Sequence, residues 1–131
     1  MAKAPLILIV DDEPHMVHVL SVKLVQAGFR VACAEDGYRA LQALNNHTPD
    51  LIIANDRMPD MNGRQLGEAL FKSKSTTGLP VILLGAHRQS IAPGDTYPAN
   101  IRAVIGKPFR PSDVINQVAS ILDNNATREV A

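Results

Sequence analysis

The sequence predicts an α/β fold, a doubly wound parallel sheet, for three reasons. Apolar runs of strand length alternate with segments whose apolar residues recur at helical spacing. Two of these runs end abruptly in acidic or amide side chains, as strands do where they open into loops at the ligand-binding edge of a parallel sheet. No linker, composition break or internal repeat divides the 131 residues, so we expect one domain with one core.

The first half of the chain predicts three strands and two helices. Residues 6–10 and 51–54 are uninterrupted apolar runs, which is typical of strands buried on both faces. Residues 31–34 form a weaker strand, in which Cys33 is predicted to be a small core residue. The apolar positions of the two helices, which begin near Pro14 and Gly37, are Val17, Leu20 and Leu24, then Ala40, Leu41 and Leu44.

The second half predicts two further strands and two helices. Asn62 is a plausible N-cap for a helix that carries Leu66, Ala69 and Leu70. Strands are predicted at residues 81–84 and, more briefly, at 103–105. The C-terminal helix opens at Pro111 and has the clearest apolar stripe: Val114, Ile115, Val118, Ile121 and Leu122. Residues 124–131 are polar, so we expect a domain over 1–123 and a flexible tail over 124–131.

One segment interrupts the alternation of strands and helices. Residues 87–102 contain Pro93, Gly94 and Pro98 and show no helical stripe. Parallel strands need a crossover connection here, usually a helix. We therefore expect a loop or a degenerate fourth helix between the fourth and fifth strands.

Composition excludes several classes of function. Lys plus Arg and Asp plus Glu are each 13, so the net charge is zero and nothing indicates a nucleic-acid or membrane partner. The apolar run near the N-terminus is too short for a signal peptide core or a membrane span. A single cysteine cannot form an internal disulfide, which fits a reducing compartment. We expect a cytoplasmic domain.

Polar side chains follow the first and third strands. Asp11 and Asp12 come after the first strand, and Asn55 and Asp56 come after the third. These strands are neighbours in the commonest doubly wound order, so their tips could share one pocket. Adjacent carboxylates are costly unless a cation neutralises them, and Mg²⁺ prefers such oxygens. With Lys107 after the fifth strand, the set would suit a phosphoryl group.

These pieces, in this order and spacing, resemble the receiver domains of bacterial two-component response regulators. The resemblance covers residues 6–122 and is carried by residues 9–14, 49–53, 58–63, 80–82 and 107–109. It implies a flavodoxin-like sheet of five strands in the order 2-1-3-4-5, with helices on both faces. It also implies a histidine kinase, another signalling protein or an output domain as partner. The positions implied for Mg²⁺ are Asp11, Asp12, Asn55 and Arg57, and Lys107 is implied to contact the phosphoryl group.

The sequence departs from the family pattern at three positions. The phosphoacceptor aspartate, four residues before Pro59, is Asn55, and an amide oxygen is a poor nucleophile. The switch positions that carry Ser or Thr and Tyr or Phe in the family are Gly85 and Val104. We therefore expect phosphorylation to be absent or impaired, and Mg²⁺ binding to be weak or absent because the pocket has lost a charge. Asp56 could replace the acceptor only if the strand end slipped by one residue.

The favoured hypothesis is a pseudo-receiver, not an enzyme, that works by protein–protein interaction. One alternative is a Mg²⁺-dependent phosphatase or phosphotransferase that reuses the Asp11 and Asp12 pocket, although no nucleophile is left for it. A small-ligand sensor is a third hypothesis, weakened because no Gly-rich phosphate turn follows the first strand. Asn55 could be natural or an introduced Asp-to-Asn change, and Gly85 and Val104 favour a natural origin. The sequence leaves the partner and the oligomeric state open.

Overall fold

The sheet confirms the predicted architecture. The computed structural model describes residues 3–86, 97–106 and 108–130. Its strands pair in parallel, in the order β2-β1-β3-β4-β5. The elements are β1 (Leu6–Val10), α1 (Pro14–Gln26), β2 (Arg30–Ala34), α2 (Gly37–Ala43), β3 (Leu51–Asn55), α3 (Gly63–Lys72), β4 (Val81–Ala86), β5 (Ile101–Gly106) and α4 (Pro111–Val130).

Helices cover both faces of the sheet. Successive strand residues point to opposite sides, and because these residues are apolar, each face carries apolar side chains that a helix can bury. Ile7 and Ile9 of β1 pack on the side of α1 and α4, whereas Leu8 and Val10 pack on the side of α2 and α3. On the α1 and α4 side, the buried helix residues are Leu20, Leu24, Val114, Val118 and Ile121. On the α2 and α3 side, they are Ala40, Leu66 and Leu70. The apolar stripe predicted for the C-terminal helix is therefore confirmed.

Two predictions need correction. The fifth strand runs from Ile101 to Gly106, longer than the predicted 103–105, because its pairing with β4 extends beyond the short apolar run. Cys33 is exposed, not a core residue, because β2 is an edge strand and its outer side is only partly covered. The backbone of α4 is helical to Val130, and the flexible tail expected over 124–131 stays a prediction.

The predicted degenerate crossover helix falls largely on residues 87–96, which lie outside the described residues. Residues 97–100 are described and form a turn, with the Ile101 amide donating to the carbonyl oxygen of Pro98 (3.0 Å). Within the described ranges, no helix has both the length and the apolar character needed to cross a membrane.

Parallel pairing brings the carboxyl ends of the strands to one edge. Val10 lies opposite Ala54, so the residues after β1 adjoin the end of β3. Asn55 in turn lies opposite Leu84 of β4. Asp11 and Asp12, which follow β1, and Asn55 and Asp56, at the end of β3, therefore lie at this edge.

Candidate functional site at the carboxyl edge of the sheet

Asp11 and Asn55 form a direct pair. The Asn55 side chain donates from Nδ2 to Asp11 Oδ1 at 3.2 Å. Strand alternation places both residues on the side of Ile9 and Ile53, toward α1 and α4. The sequence predicted that the tips of β1 and β3 share a pocket, and the geometry brings these two residues together there.

Asp11 is a buried carboxylate, only 6% exposed. Burial raises the pKa of its carboxyl group above the ordinary value of 3.8, and the charges of Asp12 and Glu13 act in the same direction. Hydrogen bonds from the Glu13 amide (2.9 Å) and from Asn55 oppose that shift. Asn55 therefore stabilises an ionised group that its surroundings disfavour.

The Asn55 side-chain amide makes a hydrogen bond through both its nitrogen and its oxygen. While its nitrogen donates to Asp11, its Oδ1 accepts a hydrogen bond from the backbone amide of Arg57 at 3.3 Å. A carboxylate at position 55 could accept from Arg57 but has no hydrogen to donate to Asp11, and two ionised carboxylates would repel each other. The pair is therefore suited to an amide in the absence of a cation.

The other predicted site residues differ in exposure. Asp12 and the Arg57 side chain are exposed. Asp56 is half-buried, and alternation turns its side chain to the face opposite Asn55. Its backbone is fixed, since its N–H donates to the Leu84 carbonyl at 2.7 Å and its carbonyl accepts from Gly63 at 3.2 Å. Lys107 lies outside the described residues.

Gly85 and Val104 are the residues at the two predicted switch positions. Gly85 is buried and has a φ of +84°, at an irregularity between Leu84 and Ala86 in the pairing of β4 with β5. Side-chain-bearing residues rarely adopt this left-handed conformation, so a Ser or Thr here would be strained. Val104 is half-buried and packs with the α2 and α3 layer.

Gly63 supports the site, although the sequence showed it only as part of a motif. A Cβ atom at Gly63 would lie 2.6 Å from the Asn55 carbonyl oxygen and 2.9 Å from Leu83 Cδ2. The start of α3 can therefore sit against the end of β3 only if residue 63 is glycine. Asn62 is the N-cap as predicted, with a reciprocal capping box to Gln65 (2.7 and 2.9 Å).

The pair fits a magnesium ion poorly. Mg²⁺ binds oxygen ligands, but Asn55 presents an N–H to Asp11 Oδ1, and the Asn55 oxygen already accepts from the Arg57 amide. In the described part of the chain, no group of three or more His, Cys, Asp or Glu side chains is placed to hold a metal ion. A cation would need the amide to turn and give up both of its hydrogen bonds.

Comparison with known proteins identifies the family. The family described as response regulator receiver domain matches residues 7–119, nearly the whole chain.

The chain belongs to this family.

Its solved relatives share the fold. The receiver domain resembles the signal receiver domain of a signal transduction histidine kinase from Syntrophus aciditrophicus, with 27% identity, a TM-score of 0.79, and 92% of each chain covered. It also resembles the response regulator TrrA from Thermotoga maritima in complex with Mg²⁺ and BeF, with 27% identity and a TM-score of 0.77 over 88% of this chain and 97% of that one.

Among curated proteins, the receiver domain is 29% identical to the DNA-binding response regulator MtrA of Mycolicibacterium smegmatis, over 91% of this chain and 51% of MtrA. It is 40% identical to the transcriptional regulatory protein GlrR of Escherichia coli, over 62% of this chain and 18% of GlrR. The chain thus spans about half of MtrA and a smaller share of GlrR. It is a receiver domain of two-component signalling, in agreement with the sequence prediction.

Proposed function

We propose that this receiver domain signals by binding a partner protein and that phosphorylation at the acceptor position is absent or impaired. The observation that carries the proposal is the Asn55 amide, which stands at the tip of β3 and bonds to Asp11 and to the Arg57 backbone. The domain is then a binding module without enzymatic activity of its own, since no carboxylate at position 55 remains to accept a phosphoryl group.

Weak or absent Mg²⁺ binding is part of the proposal. The pocket retains Asp11 and Asp12, but Asn55 brings no charge and its N–H occupies Asp11 Oδ1. Arg57 is the remaining position proposed for the metal site, and Lys107 is the position proposed to contact a phosphoryl group. Gly85 and Val104 would not act as switch residues, because one lacks a hydroxyl group and the other an aromatic ring.

The partner proposed is a histidine kinase, another signalling protein, or an output domain or protein, with no membrane or nucleic-acid contact by this domain. The relatives support this class of partner: MtrA is named a DNA-binding response regulator, and one solved relative is part of a histidine kinase. We further propose that the module works in the cytoplasm.

A phosphorylation assay tests the proposal. The full chain is incubated with acetyl phosphate and Mg²⁺, and its intact mass is measured. We expect no gain of a phosphoryl group, because an amide oxygen is a poor nucleophile. The matched control is Asn55→Asp, which restores a carboxylate at the same position and should gain one phosphoryl mass.

A stable phosphoryl gain on the unaltered chain, located at Asn55 or Asp56 by peptide mapping, would overturn the proposal. The enzyme alternative has a separate readout: hydrolysis of a small phosphoester that depends on Mg²⁺ and is lost in Asp11→Asn.

A further inference from the structure

Residues 97–101, which we call the strap, comprise the turn that precedes β5 and the first residue of that strand. Tyr97 and Ile101 at its ends pack against the α2 and α3 layer, in the same cluster as Val104. The strap also begins the pairing of the last two strands, because the Val81 amide donates to the Asn100 carbonyl at 2.8 Å. Its position therefore sets the start of the β4–β5 ladder.

The strap is joined to one face of α3. The guanidinium carbon of Arg64 lies 4.7 Å from the centre of the Tyr97 ring, within the range of a cation–π contact. Three residues farther along α3, the Gly67 carbonyl accepts a hydrogen bond from Asn100 Nδ2 at 2.9 Å. Positions three apart lie on the same side of a helix, so both contacts fasten the strap to one surface.

Gly67 allows this close approach. A Cβ atom at position 67 would lie 2.9 Å from Ile101 Cδ1. Asn100 is 4% exposed, and its Oδ1 has no hydrogen-bond partner among the residues that the structure describes, whereas its Nδ2 is bonded to the helix. Glycine inside a helix and an unpaired amide oxygen are both unfavourable, which indicates that the position of the strap is strongly constrained.

We propose that the contact between Arg64 and Tyr97 is a latch that holds the strap closed on α3 and thereby fixes the start of β5. The latch is independent of the strand-tip pocket and of the proposed function. The ring in this contact belongs to Tyr97, which precedes β5. Position 104 within β5 is the predicted aromatic switch position, and it holds a valine in this chain. Release of Arg64 from the ring would loosen the strap, which the Asn100 bond to Gly67 still holds, while leaving the core layers packed.

Hydrogen exchange of the full chain, followed by NMR, tests the latch. The reporting amides are Ile101, which donates to Pro98, and Val81, which donates to Asn100. Arg64→Gln and Tyr97→Leu should each speed exchange at these amides by roughly two- to fivefold, the range expected from an exposed cation–π contact. The double variant should exchange no faster than Tyr97→Leu alone, because that variant already removes the contact with Arg64.

Arg39→Gln is the matched control. Arg39 is an exposed arginine in ion pairs with Glu35 and Asp36, and it lies on α2. This variant should leave exchange at Ile101 unchanged. The amide of Arg30, which donates to Pro5 at the other edge of the sheet, reports on global stability and should be unaffected by Arg64→Gln. The latch is refuted if Ile101 exchange does not respond to Arg64→Gln, or if the Arg30 amide accelerates to the same degree.

Discussion

At the scale of single residues, the chemistry of the pocket depends on one amide. Asn55 satisfies the buried Asp11 carboxylate with a hydrogen bond and accepts one from the Arg57 backbone, so the two strand tips are joined without a cation. The sequence predicted which residues meet here, since parallel strands bring their carboxyl ends together. It could not predict that the amide would point its nitrogen at Asp11, because that depends on the rotamer and on the Arg57 amide.

Asp11→Asn should stabilise the protein at neutral pH. Burial and neighbouring charges raise the pKa of Asp11 in the folded state, so ionisation disfavours folding. For an acid with a raised pKa, the wild-type free energy of unfolding falls as pH rises through the folded pKa, and the variant has no such loss. The difference in free energy of unfolding between the variant and the wild type should grow as the pH rises from near 3.8 and then level off. Urea unfolding at a series of pH values measures this difference.

Asp12→Asn is the control, because Asp12 is an exposed aspartate adjacent to the buried Asp11. Its free energy of unfolding should follow the wild-type pH dependence more closely. An Asp11→Asn variant that is less stable than wild type at neutral pH would contradict the assignment of Asp11 as a disfavoured buried charge.

Gly85→Thr should destabilise the fold by about 1–2 kcal/mol, the usual cost of a left-handed conformation for a residue with a Cβ atom. Gly85 has a φ of +84°, and threonine is branched at Cβ. Gly78→Thr is a suitable comparison, since a Cβ atom there meets nothing within 4 Å. Denaturant unfolding of both variants gives the difference, and equal stabilities would show that the backbone at position 85 adapts to a hydroxyl residue.

At the scale of elements, the start of α3 is fixed by its contact with the end of β3. Gly63→Ala should cost about 1–3 kcal/mol, the range for overpacking, because its Cβ would meet the Asn55 backbone oxygen at 2.6 Å. Gly78→Ala has open space and should be neutral or slightly stabilising. Thermal or urea unfolding measures both changes, and a loss of similar size in the two variants would argue against a specific role for Gly63.

The elements whose apolar runs are complete were predicted well. β1 was predicted over its full extent, and Asn62 was predicted as the cap of α3 because cap chemistry is local. The ends of β5 were missed since they are defined by pairing with β4, and the exposure of Cys33 was missed because edge position in a sheet is a tertiary property. The approach of Gly67 to Ile101 likewise joins residues far apart in sequence.

At the scale of the whole molecule, the buried apolar side chains form two layers, one on each face of the sheet. The pocket at the strand tips lies at the edge of these layers. A ligand that binds only the folded chain raises its melting temperature. If Asn55 impairs Mg²⁺ binding, millimolar Mg²⁺ should leave the wild-type melting temperature unchanged and raise that of Asn55→Asp. Calorimetry with and without Mg²⁺ checks this, and an equal increase in both proteins would contradict weak binding.

The pairing of β3 with β4 also affects how the protein ages. Loss of ammonia from an asparagine begins when the backbone nitrogen of the next residue attacks the side-chain amide carbon. For Asn55 that nitrogen belongs to Asp56, whose N–H donates to the Leu84 carbonyl at 2.7 Å, so it is held away from such an attack. Spontaneous deamidation through the cyclic imide that this attack forms would, on hydrolysis, turn position 55 into isoaspartate or aspartate, and the aspartate would supply the missing acceptor. The strand pairing therefore protects the chemical identity of the pocket over time, and peptide mapping of stored protein should find Asn55 still an amide.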